Sequence, residues 1–166
     1  MQLKPNDNSG RNENLLTPES ILARLRQILL IISAGVFGMT LTELIFLGHW
    51  NKTIQFLPFV LCALGLLACA GACFRPGKAW LAGARWSMIV IGLCSFIGVY
   101  EHMAGNYHFR LEVQPNATTW TLLKATLEGE NPVLAPGILL LGAAIGLAAL
   151  YRHPLLEPNH PKEKIE

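Results

Sequence analysis

The sequence predicts an all-α membrane protein: a four-transmembrane-helix bundle, N-in and C-in, with a small outer loop subdomain made of a short strand and an amphipathic helix. Three observations predict it. Hydrophobic residues make up 52% of the chain and charged residues only 14%, where a soluble domain carries about a quarter charged residues. The charges gather at the ends and in short stretches, leaving four apolar segments of the length that crosses roughly 30 Å of hydrocarbon at about 1.5 Å per residue. Lys and Arg are also distributed unequally between the two sides that those spans define.

Residues 1–16 are rich in Asn and charge, lack periodicity, and read as a disordered cytoplasmic tail. Thr17-Pro18-Glu19 then reads as a helix start. Thr17 can cap, Pro18 needs no amide partner in the first turn, and Glu19 meets the positive end of the helix dipole. The membrane domain is expected over residues 17–151, with spans at about 27–47, 56–74, 80–100 and 133–151. The first span follows a polar leader and is too long for a signal-peptide core, so it is expected to stay in the membrane as an anchor. Trp50 is placed at headgroup depth. Arg75-Pro76-Gly77-Lys78 forms a tight basic turn, and Arg85 lies one turn inside the third span, within snorkelling reach of the interface. Residues 152–166 form a polar cytoplasmic tail.

With the N-terminus inside, the inside segments hold Lys4, Arg11, Arg24, Arg26, Arg75, Lys78, Arg85, Arg152, Lys162 and Lys164. The outside segments hold only Lys52, Arg110 and Lys124. That bias places both termini in the cytoplasm. Compact loops and the lack of targeting features place the protein in a bacterial cell membrane as a multi-pass protein.

The outer loop, residues 101–132, is the one sizeable extramembrane piece. Tyr107, Phe109, Leu111 and Val113 alternate with His108, Arg110, Glu112 and Gln114. Period two is the pattern of a strand with one buried face. Trp120, Leu123 and Leu127 then recur at helical spacing, and Gly129 and Pro132 stop the run. This reads as an amphipathic helix lying on the outer membrane surface. A lone strand must find a pairing edge or fold over the bundle.

The candidate ligand or proton site is Glu43, His49, Glu101 and His102. Glu43 is the one acid within a span, and such residues face the bundle and hold a partner or a task. A structural acid near the outer interface is the ordinary alternative. Ser87, Cys94, Gly98 and Glu101 share a helix face, which is expected to point inward and carry Glu101 to the level of His49. His49, His102 and His108 are of the ligand type that suits zinc, copper or iron. No pair among them has preformed helical i,i+4 spacing, and interfacial histidines are commonplace. No cofactor is predicted apart from a metal ion there. Candidate loop-docking residues are Asn106, His108, Phe109, Arg110 and Glu112; His102, Asn106, His108 and Glu112 alternatively form a polar network tying the loop to the bundle.

Other features narrow the field. Cys62, Cys69, Cys73 and Cys94 all lie in apolar segments, which argues against a disulfide framework. The first three share a face with many Ala and Gly, as in close helix packing. Ala34-x-x-x-Gly38 and Gly142-x-x-x-Gly146 add small-residue contacts. No histidine lies within a span, so bundle-held haem is not expected. Phosphate loops, HExxH and hydrolase signatures are missing. No basic patch interleaved with aromatics points to nucleic acid. The expected partners are the lipid bilayer and a membrane or periplasmic protein, or a homo-oligomer. The leading expectation is a non-enzymatic accessory, assembly or interaction subunit docking a partner through its outer loop. The alternative is a small transporter or ligand- or metal-binding membrane protein using the outer Glu/His cluster.

Overall fold

Thr17 starts the first helix as its sequence predicts. Its hydroxyl accepts from the Ser20 amide at 3.3 Å, and Pro18 sits in the first turn. The computed structural model describes residues 17–129 and 131–157, and its regular structure there is all helical. The expected tail at 1–16 and the part of the C-terminal tail at 158–166 lie outside the described residues. The elements are α1 (Pro18–Phe46), a 3-10 turn (Thr53–Phe56), α2 (Leu57–Phe74), α3 (Lys78–Val113), α4 (Thr119–Glu128) and α5 (Gly137–Leu150).

Three helical segments are long and apolar enough to cross a membrane: Pro18–Phe46, Thr53–Phe74 and Lys78–Val113. Ile31, Met39, Leu67, Leu93 and Phe96 are exposed on their outer faces. Helices that are apolar all round suit lipid, not water. This is the signature of a membrane protein. Helix α5 is also apolar but has 14 residues, a rise of about 21 Å. It is preceded by turns at 133–136, so the helix itself is shorter than the span expected at 133–151.

Helix α5 lies against both α1 and α3 and touches α2, while α2 packs between α1 and α3. The seams follow a three-four spacing: Leu30, Ser33, Phe37 and Thr40 on α1, and Leu61, Gly65, Ala68 and Ala72 on α2. This is the knobs-into-holes period. Phe37 is fully buried. Its ring lies between two glycines: a Cβ on Gly65 would come within 2.5 Å of it, and one on Gly142 within 3.2 Å. Gly146 is likewise filled by Met88, whose sulfur would meet an added Cβ at 2.7 Å. The Gly142/Gly146 pair thus brings α1 and α3 onto α5 within one chain.

A buried polar link adds direction to this core. The Ser33 hydroxyl donates to the Gly142 carbonyl at 2.8 Å, and the Cys69 thiol approaches Ser33 at 3.5 Å. Cys62 and Cys69 are buried packing residues. At the opposite end from residues 47–56, Arg26 donates to the carbonyls of Tyr151 (3.4 Å) and Arg152 (3.0 Å). It thereby satisfies carbonyls left open at the C-terminus of α5 and opposes the helix dipole there.

The expected strand at 107–113 is helix. Helix α3 runs unbroken for 36 residues, about 54 Å, well past the expected end of the third span at 100. Its buried residues explain why. Leu81, Ala84, Met88, Ile91 and Ser95 set a heptad seam, and Gly98, His102 and Gly105 continue the same register in sequence. Good helix formers such as Met103, Ala104 and Leu111 flank Gly105, and no proline interrupts the helix before Pro115. Pro115 then forces Gln114 out of helical geometry (φ −136°, ψ 80°). The apolar partners of the alternation did not mark a buried face: Tyr107, Phe109 and Val113 are all exposed.

Helix α4 forms where the amphipathic pattern puts it, capped by Thr118 through the Thr121 amide. It does not stand apart from the bundle. Among the described elements it contacts α3 alone, running back antiparallel to the extension of that helix. The subdomain expected at 101–132 is therefore a helical hairpin, with helix in place of the expected strand.

Candidate outer-end site

At the hairpin end of the bundle, the junction begins with a helix cap. Gly48 has φ +60°, a left-handed conformation that glycine adopts without penalty. The Gly48 amide donates to the Ile45 carbonyl and the His49 amide to the Leu44 carbonyl, each at 3.1 Å. These two bonds form a Schellman motif. It turns the chain off α1 and fixes His49, half-buried, just past the end of that helix. Trp50 follows with its ring 6.3 Å from that of Phe59.

His102 lies on the α3 seam above Ser95. Its Nδ1 donates to the Pro132 carbonyl at 2.9 Å, since a carbonyl can only accept. Burial holds the His49 pKa below the usual imidazole value, and repulsion from nearby His102 lowers it further. The two histidines predicted from sequence thus do share a neighbourhood, and Pro132 is tied to His102.

The remaining members do not converge. Glu43 and Glu101 are both exposed, so neither points into the bundle core. Among the described residues no hydrogen bond or ion pair joins them to His49 or His102. The inward face of α3 is that of Ser95 and Asn106; Ser87, Cys94 and Gly98 border it half-buried. His108 is exposed, stacked edge-on against Tyr107 at 5.7 Å. It lies six residues beyond His102, so the two leave α3 in different directions. No three His, Cys, Asp or Glu side chains are grouped to hold a metal among the described residues.

Asn106 is the residue that organises the α3–α4 hairpin. It is 3% exposed. Its Nδ2 donates to the Thr126 carbonyl (3.2 Å) and the Asn131 carbonyl (2.9 Å), while its Oδ1 accepts from the Asn131 amide at 2.9 Å. Gly129 lies so close that an added Cβ would collide with the Asn106 side chain. Of the polar network expected at His102, Asn106, His108 and Glu112, the first two make the ties. His108 and Glu112 stay outside it, both exposed. The partners Thr126, Gly129, Asn131 and Pro132 had no hydropathy signal. Their one clue was the heptad that carries His102 and Gly105 onto the inner face.

Opposite the α3 contact, α4 presents Trp120, Leu123 and Leu127, all at least half exposed. They line a shallow depression of about 240 Å³ together with Lys124 and Glu128, which pair at 3.6 Å. On α3, Phe109 is also exposed, and the Arg110 Nε is buried without a hydrogen-bond partner among the described residues. No family model, curated protein or solved structure matches the chain. Its chemistry must be read from these residues.

The histidine geometry gives a pH dependence. A depressed folded-state pKa means that the neutral imidazole is favoured by folding. The contribution of His49 is complete above the unfolded value near 6.5 and is lost as the pH falls through the lower folded value. His153, lowered by burial and then by Arg26, acts in the same direction at the other end. Denaturation midpoints taken between pH 8 and 5 should therefore fall with acid. The fall should be shallower in His49→Gln; an unchanged slope would remove His49 from the linkage.

Proposed function

We propose that this chain is a non-enzymatic accessory or interaction subunit of the bacterial cell membrane that docks a second membrane or periplasmic protein through the α3–α4 hairpin. The observation that carries this reading is the unpartnered apolar face of Trp120, Leu123 and Leu127 on a hairpin locked by Asn106. A helix that already spends one face on α3 has no internal use for a second apolar face. The partner is accordingly a protein offering an apolar surface.

In this reading α5 and its flanking turns act as the fourth span, and both termini are cytoplasmic. The Arg26 tie supports that arrangement, because it holds the start of α1 and the end of α5 at one end of the bundle. The transporter alternative needs Glu43 inside the bundle, and its exposed position gives that reading no support.

The test is site-specific photo-crosslinking from position 123 in intact cells, followed by purification of the full chain in mild detergent. One defined protein should be crosslinked and should co-purify in stoichiometric amount. Trp120→Ala with Leu127→Asp should leave the bundle folded and weaken that association about 30-fold, the effect of losing an anchor worth about 2 kcal/mol. A crosslink to a second copy would make the partner a homo-oligomer. No crosslink from positions 120, 123 or 127 would overturn the docking reading.

A further inference from the structure

At the end of the bundle opposite the hairpin, α2 and α3 leave a groove of about 370 Å³ lined by Leu67, Ala70, Gly71, Phe74, Arg75 and Trp80. Its wall is a direct consequence of Gly71. The Trp80 ring lies against that glycine, 2.7 Å from where a Cβ would stand. Leu67, Phe74 and Trp80 are all more than half exposed. The groove is thus an apolar channel facing outward at the place where two membrane-crossing helices end.

Its rim is cationic without internal compensation. Arg75 and Lys78 are exposed, and neither pairs with a described carboxylate. No Asp or Glu occurs between Glu43 and Glu101, so α2, the turn and the span portion of α3 hold no acid. The start of α3 adds donors to this charge. Gly77 is its N-cap and offers no side-chain acceptor. The first-turn amides therefore remain open, at the positive end of a long helix dipole. Arg75 also sits at the C-terminus of α2, where it offsets that helix's carbonyl end, so a purely structural role for it must be separated by experiment.

An apolar channel, two unpaired cations and free helix amides meet at one membrane level. We propose that this groove binds one anionic phospholipid, its acyl chain against Leu67, Gly71, Phe74 and Trp80 and its phosphate at Arg75, Lys78 and the α3 amides. Lipid-exposed apolar grooves with basic rims recognise headgroups in this way. The inference rests on membrane insertion and is independent of partner docking at the other end.

Trp80 supplies the readout. The full chain, with Trp50, Trp86 and Trp120 changed to Phe, is reconstituted in phosphatidylcholine vesicles. Acyl-brominated phosphatidylglycerol or acyl-brominated phosphatidylcholine is then titrated as the quencher. Phosphatidylglycerol should be preferred at Trp80, by about fivefold for each cation engaged. Arg75→Gln should lower the preference about fivefold, and Arg75→Gln with Lys78→Gln should bring it near parity. Ala70→Phe fills the channel without changing charge and should remove the preference for phosphatidylglycerol, leaving the equal quenching that surrounding lipid gives an exposed Trp80. Helix content by circular dichroism should match in all variants, since Ala70, Arg75 and Lys78 are exposed. Equal quenching by the two lipids with the groove intact overturns the proposal. So does a preference that survives the double charge variant, or one that survives Ala70→Phe.

Discussion

Phe37→Ala is expected to destabilise the bundle by about 2–3 kcal/mol, from a cavity cost of ~24 cal/mol per Å³ over roughly 100 Å³ of lost ring volume. The reasoning starts from what lipid removes. Between helices in a bilayer there is no transfer from water to be gained, so close packing carries the association. Phe37 is where that packing is densest, fully buried between Gly65 of α2 and Gly142 of α5. Removing the ring leaves two glycine-lined surfaces facing an empty space that neither can fill. The reverse change tests the same fit. In Gly65→Ala the new methyl falls 2.5–2.7 Å from three ring carbons, and Gly142 blocks retreat on the other side. A cost of about 1–3 kcal/mol follows from such overpacking.

The two changes must interact if this account is right. Phe37→Leu presents a smaller and more adaptable side chain to the methyl. The Phe37→Leu/Gly65→Ala double variant should therefore be more stable than the sum of the single costs allows, with a coupling of about 0.5–3 kcal/mol. Reversible unfolding of the full chain in mixed micelles measures all four corners of the cycle. Strict additivity would show that the ring and the glycine do not share one contact.

Much of this core was legible because its signal is long and redundant. The three longest apolar segments announce their helices, and the Gly142/Gly146 spacing announces a close crossing. The hairpin was harder for a physical reason. Hydropathy reports what leaves water, and the contacts that build the hairpin are made by Asn106, Thr126, Asn131 and two glycines. The loud residues there, Tyr107, Phe109 and Val113, face outward and produced a false period of two. A heptad register carried from Leu81 through His102 to Gly105 would have extended α3 correctly. The general rule that acids in spans face the bundle does not describe Glu43, which is exposed, and the alternative of an acid near the interface fits it better. It lies one turn from the end of α1, where exposure costs less than it does at mid-membrane depth.

Asn106→Asp is expected to release α4 from α3 while the remainder of the bundle stays folded. In the native site the amide donates twice and accepts once, so its two ends are not interchangeable. A carboxylate keeps the acceptor for the Asn131 amide but turns an oxygen toward the carbonyls of Thr126 and Asn131. Two acceptors then face a charge in a pocket where the native side chain is almost fully buried. Loss of the donor bonds and the burial of that charge together exceed what the hairpin gains from packing on α3 alone. With about 3 kcal/mol removed from the local opening free energy, amide exchange over 114–131 should accelerate roughly a hundredfold. Exchange in α1, α2 and α5 should change little, because α4 touches none of them. Acid provides the internal control. Burial and the facing carbonyls raise the pKa of the introduced carboxyl, and its protonated form can donate once. Protection should therefore return in part as the pH falls through that raised value, opposite in sign to the acid loss carried by His49. If exchange in the hairpin is unaffected at neutral pH, Asn106 is not the clamp. If the crosslink from position 123 persists after the hairpin has opened, the partner binds α4 without needing the platform that α3 provides.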